Sequence, residues 1–149
     1  QSITCAILDD DTVKCWGIGP LGDKGPQPRM RPSSKPIDFQ GEKVAHIEIA
    51  HSNFVCALLK DHNLKCWGSN DFGQLGYNDT QPREIPDSNA VNFKGLKVKQ
   101  ISLGRSHACA LLEDQTLRCW GDNNHGRLGY SGPSSLQRPL TEPPINMIP

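Results

Sequence analysis

Three times in 149 residues the chain writes the same thirteen-residue phrase: CAILDDDTVKCWG from Cys5, CALLKDHNLKCWG from Cys56 and CALLEDQTLRCWG from Cys109. In each, nine residues separate two cysteines, and the second cysteine is followed by Trp-Gly. A period of about fifty residues means a stack of similar units, each burying its apolar face against the next. The likeness extends outward. Upstream, the Phe39–Val44 stretch matches Phe93–Val98, and downstream GSNDFGQLGY from Gly68 matches GDNNHGRLGY from Gly121. The first unit is shorter here, with Gly17-Ile18-Gly19-Pro20-Leu21-Gly22 and no Asn.

Each phrase reads as strand, turn, strand. The CALL run is short and apolar, and Leu117-Arg118-Cys119-Trp120 alternates. A three-residue tip places Cys5 opposite Cys15, Cys56 opposite Cys66 and Cys109 opposite Cys119. It also asks Asp11, His62 and Gln115 to adopt a left-handed backbone. A further strand is expected at Val44–Ile49 and at Val98–Leu103, and a short one in each proline-rich connection (26–36, 82–86, 133–144). Up to four strands per unit is the size of a propeller blade.

Composition narrows the classes. Sixteen basic residues balance sixteen acidic ones, so no general attraction to nucleic acid is expected. Arg29-Met30-Arg31, with Lys24 and Lys35, is too short to argue otherwise. No run approaches the roughly eighteen apolar residues that span a bilayer. No basic-then-apolar leader is visible, and the chain opens at Gln1, as a processed or excised piece would. No nucleophile motif, nucleotide fingerprint or paired-acid constellation is present, so no enzyme activity, catalytic residue or cofactor is expected.

The cysteine spacing fits zinc poorly, because zinc ligands usually come two to four residues apart in paired sets. Cross-strand disulfides are the favoured reading, with Cα atoms about 4.5 Å apart and a contribution of about 2–3 kcal/mol each. They would place the chain outside the cell or in an oxidising organelle lumen. Six buried thiols in a reducing compartment are the competing reading. Trp16, Trp67 and Trp120 recur in phase and are assigned to the core between blades rather than to a stacking surface. The five histidines show no metal spacing, and Asp9-Asp10-Asp11 is a hairpin tip rather than a calcium loop. Asn70 and Asn123 are expected to cap their own loops. Asn78-Asp79-Thr80 is a glycosylation sequon, making Asn78 a candidate acceptor.

The phrases resemble the regulator-of-chromosome-condensation repeat family, with its G-x-x-H-x-x-A-L and W-G-x-N-x-x-G-Q-L-G stretches. Unit three carries Gly104, His107, Ala110-Leu111, Trp120-Gly121, Asn123, Gly126 and Leu128-Gly129. Unit two carries Ala57-Leu58, Trp67-Gly68, Asn70 and Gly73-Gln74-Leu75-Gly76, but has Phe54 at the His position. Unit one keeps the hairpin and Trp16-Gly17 and little else. The resemblance implies an all-β fold of propeller blades, usually seven, with His107 as a structural, loop-bracing residue. Three repeats cannot close a ring. Residues 1–149 are therefore expected to form one open arc, with hairpins at 5–17, 56–68 and 109–121, or a piece of a larger propeller. The cysteine pairs are not in the nuclear family's pattern and look like those of secreted relatives.

The expected function is a non-enzymatic protein-interaction or scaffold module in an extracytoplasmic space, such as an accessory subunit of a larger assembly. Binding is assigned to loops 18–36, 69–92 and 122–144, carried on rigid hairpins. Open sheet edges call for a longer chain, an oligomer or a complex. The alternative carried by the resemblance is a nuclear exchange factor for a small GTPase that binds chromatin.

Overall fold

The computed structural model describes residues 2–139 and 143–145. Positions 140–142 of the expected 122–144 loop, and chain positions 1 and 146–149, lie outside the described residues. The described residues form nine strands in chain order: β1 (Ser2–Ile7), β2 (Val13–Ile18), β3 (Val44–Ile49), β4 (Phe54–Leu59), β5 (Leu64–Gly68), β6 (Val98–Leu103), β7 (His107–Leu112), β8 (Leu117–Asp122) and β9 (Ser135–Leu136). They make three antiparallel sheets, β1-β2, β3-β4-β5 and β6-β7-β8-β9. Each sheet is one blade, and there is no α-helix among the described residues.

The hairpins follow from their tips. Asp11, His62 and Gln115 have φ of 63°, 66° and 68°, the left-handed residue that closes a three-residue loop. The middle acid of each tip fixes the turn. Asp10, Asp61 and Asp114 accept backbone N–H bonds from Thr12, Asn63 and Thr116 at 3.1, 3.0 and 3.0 Å. The register then sets Cys5 against Cys15, Cys56 against Cys66 and Cys109 against Cys119. All three pairs are disulfide-bonded, with Cα atoms 4.1 Å apart.

The outer strand is smaller than the fourfold count expected. β9 has two residues, and blades one and two have only single bridges, Gly17 to Arg29 and Gly68 to Arg83. Each bridge is a hydrogen-bonded pair, so the next rung would join Gly19 to Gln27 and Asn70 to Gln81. Side chains take those places instead: the Gly19 N–H donates to Gln27 Oε1, and the Gln81 carbonyl accepts from Asn70 Nδ2.

Blades stack through two hydrophobic layers. Val55, Ala57, Leu59 and Trp67 of blade two pack with Val13, Cys15, Leu21 and Phe39 of the blade-one side. Phe54, Cys56 and Leu58 pack toward blade three, with Phe93, Leu112 and Trp120. β4 is thus buried at every position. Trp67 lies edge-on to Phe39 at 5.8 Å, and Trp120 to Phe93 at 5.7 Å. Each indole N–H reaches back into the preceding blade: Trp67 donates to the Pro20 carbonyl and Trp120 to the Gln74 carbonyl, both at 2.9 Å. Trp16 has no blade before it among the described residues and is half-buried, although the repeat assigned it to the core.

The glycine after each tryptophan is dictated by space. Gly68 has φ of 109°, and a Cβ there would stand 2.2 Å from the Asn53 carbonyl oxygen. Lys65 adds a polar tie inside the first layer. It is 2% exposed, donates to Gln40 Oε1 at 2.7 Å and pairs with Glu42. A buried cation is tolerable only with such partners.

Candidate functional site

The turns between paired strands sort to two ends of the blades. At one end, here the upper end, lie turns 50–53 and 104–106 and the loops leaving Gly17, Gly68 and Gly121. Ser69 N–H donates to Asn53 O and Asp122 N–H to Ser106 O. At the lower end lie the hairpin tips and the links between blades, where Val44 N–H reaches Asp11 O and Val98 N–H reaches His62 O. The expected binding loops 18–36 and 69–92 therefore do not form single surfaces. Each starts at the upper end and returns to the lower one, where Ile37 N–H meets Val13 O and Val91 N–H meets Leu64 O. The upper parts, 18–28 and 69–82, share a face with 122–134.

These upper loops are braced from within. Asn70 Nδ2 donates to Asp79 O and Gln81 O at 3.0 Å, and its Oδ1 accepts Leu75 N–H at 2.9 Å. Asn123 repeats the scheme with Tyr130 O, Pro133 O and Leu128 N–H. Arg83 grips Asp79 through Nη1 and Nη2 and Asp87 through Nε, with its guanidinium 4.3 Å from the Tyr77 ring centre. That donation holds the Asp79 carboxyl below its usual range and raises the Arg83 guanidinium. Arg29 and Asp23 form the equivalent fork in blade one, at 2.9 Å for Nη2 to Oδ1, and the Asp23 carboxyl is likewise held down. Tyr77 and Tyr130 hydroxyls accept the N–H of Cys66 and Cys119. Burial pushes the Tyr77 phenol well up. The upper loops of blades two and three are thus each tied to the strand that carries the blade's disulfide.

His107 sits at the start of β7 with its ring against Gly104, where a Cβ would come 2.0 Å from Cε1. Its Nδ1 is buried and makes no hydrogen bond. Burial, and then the charge of Arg127, push the imidazole below its ordinary pKa, so it is neutral at pH 7. Asn78 is exposed with φ of 65°, and Thr80 is exposed. Among the described residues no three His, Cys, Asp or Glu side chains cluster as metal ligands. No helix among them is long and apolar enough to cross a membrane.

Two shallow grooves open on the upper face at the blade junctions. The one between blades one and two, about 710 Å³, is lined by Pro20, Lys24, Asn53, Ser69 and Glu84 among others. The other, about 380 Å³, lies between blades two and three, with Ser52, Phe72, Gln74, Arg105 and Ser106 in its wall. The sequence placed Gln74 and Pro20 in turns but gave neither a part in blade stacking. Their role in stacking is carried by the backbone carbonyl, which leaves no side-chain signature.

Disulfide-tied antiparallel blades, each hooked by a tryptophan into the loop before it, define an open arc of a β-propeller. The description "Regulator of chromosome condensation (RCC1) repeat" fits two sequence profiles, which match residues 61–111 and 98–127. Residues 61–127 carry repeats of this family. It is 32% identical over 142 residues to the human E3 ubiquitin-protein ligase HERC2, covering 91% of this chain and 3% of that protein. It is 29% identical over 130 residues to the ultraviolet-B receptor UVR8 of Arabidopsis thaliana, covering 86% and 29%. The fold matches that of human WBSCR16, with a TM-score of 0.76 at 19% identity over 97% of this chain and 37% of that one. It also matches Prp20p of Saccharomyces cerevisiae, with a TM-score of 0.70 at 23% identity over 88% and 33%. The chain spans a third or less of these two curated relatives.

Proposed function

We propose that residues 1–149 act as one non-enzymatic protein-interaction arc, within a longer chain or assembly, in an extracytoplasmic or other oxidising compartment. The observation that carries this reading is the bracing of the upper loops. Asn70, Asn123 and the Arg29 and Arg83 forks hold three successive loops on one face, over blades tied by disulfides. A surface ordered before contact loses little entropy on binding. The partner is protein, since the charge balance offers nothing to a nucleic-acid backbone. Prp20p has been studied for its binding to Gsp1p and histones, but the likeness to it carries the fold alone. Asn78 is proposed as an N-glycan acceptor on the outer side of this face.

Photo-crosslinkers placed in the native assembly at Phe72 and at Lys60 test the face. Adducts from Phe72 and none from the Lys60 tip support the reading, and the reverse pattern contradicts it. Thiol trapping at lysis tests the compartment. No alkylated cysteine is expected, whereas six would favour the nuclear exchange-factor alternative. Release of one glycan by peptide-N-glycosidase, leaving Asp at position 78, tests the acceptor.

A further inference from the structure

The groove between blades two and three holds a donor with nothing to donate to. Gln74 is 1% exposed. Its Oε1 accepts the Phe72 backbone N–H at 2.9 Å, which assigns the amide orientation. Its Nε2 has no hydrogen-bond partner among the described residues and is not fully buried, so it can donate to a molecule that enters the groove that Gln74 lines. Around it stand Arg105, which is exposed and has no salt bridge among the described residues, and the hydroxyls of Ser52 and Ser106, 3.2 Å apart. The other charged pair of the wall is already satisfied, since Arg127 Nη1 holds Asp122 at 2.9 Å and Asp122 also accepts Asn124 N–H. Asp71 is the one remaining acid, exposed at the rim, and the partly exposed Phe72 supplies an apolar edge.

We propose that this groove receives the carboxylate of an acidic residue on a protein partner. Gln74 Nε2 and Arg105 donate to it, the serine hydroxyls complete its acceptor demand, and Phe72 packs on the neighbouring residue. Asp71 opposes the incoming charge and so weakens binding. The inference rests on the interaction reading and names the chemistry that this face selects.

The test is a titration of the full chain, followed by side-chain NMR, with the tripeptides Ac-Ala-Glu-Ala-NH2, Ac-Ala-Gln-Ala-NH2 and Ac-Ala-Lys-Ala-NH2. A single contact of this kind should show a Kd of about 1–10 mM. The Glu peptide is expected to move the Gln74 Nε2 and Arg105 Nε signals saturably, and the Gln and Lys peptides are not. Arg105→Met, an exposed change that leaves the backbone spectrum intact, should weaken binding by about fivefold or more, and Asp71→Asn should tighten it. Equal response to the Gln peptide, shifts scattered over the whole chain, or no saturable shift would each overturn the carboxylate assignment. Crosslinking at Phe72 without a carboxylate response would sink this inference while leaving the interaction face standing. Loss of both would sink the face as well.

Discussion

Blades one and two carry nearly the same thirteen residues, yet they differ in almost every measure of burial. In blade two, β4 and β5 are buried at each position and Trp67 has no exposed surface. In blade one, every position of β1 is exposed or half-buried, and Trp16 is half-buried. Blade two has β3 on its inner edge and a blade on either side, whereas β1 has an unpaired edge and one packed face. The motif therefore specifies a hairpin, and its neighbours decide how much of that hairpin leaves water. This is the behaviour of a stack of repeats, in which most stability lies in the interfaces.

The largest effect expected from this contrast concerns the tryptophans. Trp67→Ala and Trp120→Ala should each cost about 3–5 kcal/mol, from lost packing and an orphaned loop carbonyl. Trp16→Ala should cost about 1 kcal/mol, in keeping with its partial burial. Denaturant melts of the three variants measure this, and equal losses would break the contrast.

The disulfides offer a second handle. Replacing Cys56 and Cys66 together by Ser should cost about 2–3 kcal/mol, as for any short closed loop. Timed alkylation under a mild reductant should open Cys5–Cys15 first and Cys56–Cys66 last. Cys5 is half-buried, while Cys56 and Cys66 are both 0% exposed. Simultaneous opening would mean that global unfolding, not local access, governs reduction.

A smaller effect separates blade two from blade three. Unit two has Phe54 where unit three has His107. His107 titrates lower in the folded chain than in the unfolded one, because burial disfavours its cation and Arg127 repels it. Its contribution is complete above the ordinary imidazole value of about 6.5 and is lost as pH falls through the folded value. His107→Phe should flatten the stability profile across that window. A profile unchanged by the substitution would show that His107 does not link folding to protons.

Much of this was legible in the residues. The hairpin register, the left-handed tips at Asp11, His62 and Gln115, and the strands at Val44–Ile49 and Val98–Leu103 follow from side-chain alternation and turn chemistry, which are local. Three things were not. The outer strands of blades one and two shrank to single bridges because the side chains of Gln27 and Asn70 take the next rung. The indole bonds to Pro20 and Gln74 use backbone carbonyls, to which any residue type is equal. The split of loops 18–36 and 69–92 between two ends depends on where the chain returns to the sheet, a long-range matter that periodicity does not encode.

Residue-resolved hydrogen exchange on the 149-residue chain tests most directly whether neighbours, rather than the motif, set stability. The β4 amides, paired on both sides by β3 and β5 and covered on both faces, should exchange at least about 100-fold more slowly than those of β1, with β7 close to β4. Protection of β1 equal to that of β4 would contradict the account, because it would show that the hairpin carries its stability without the blades beside it.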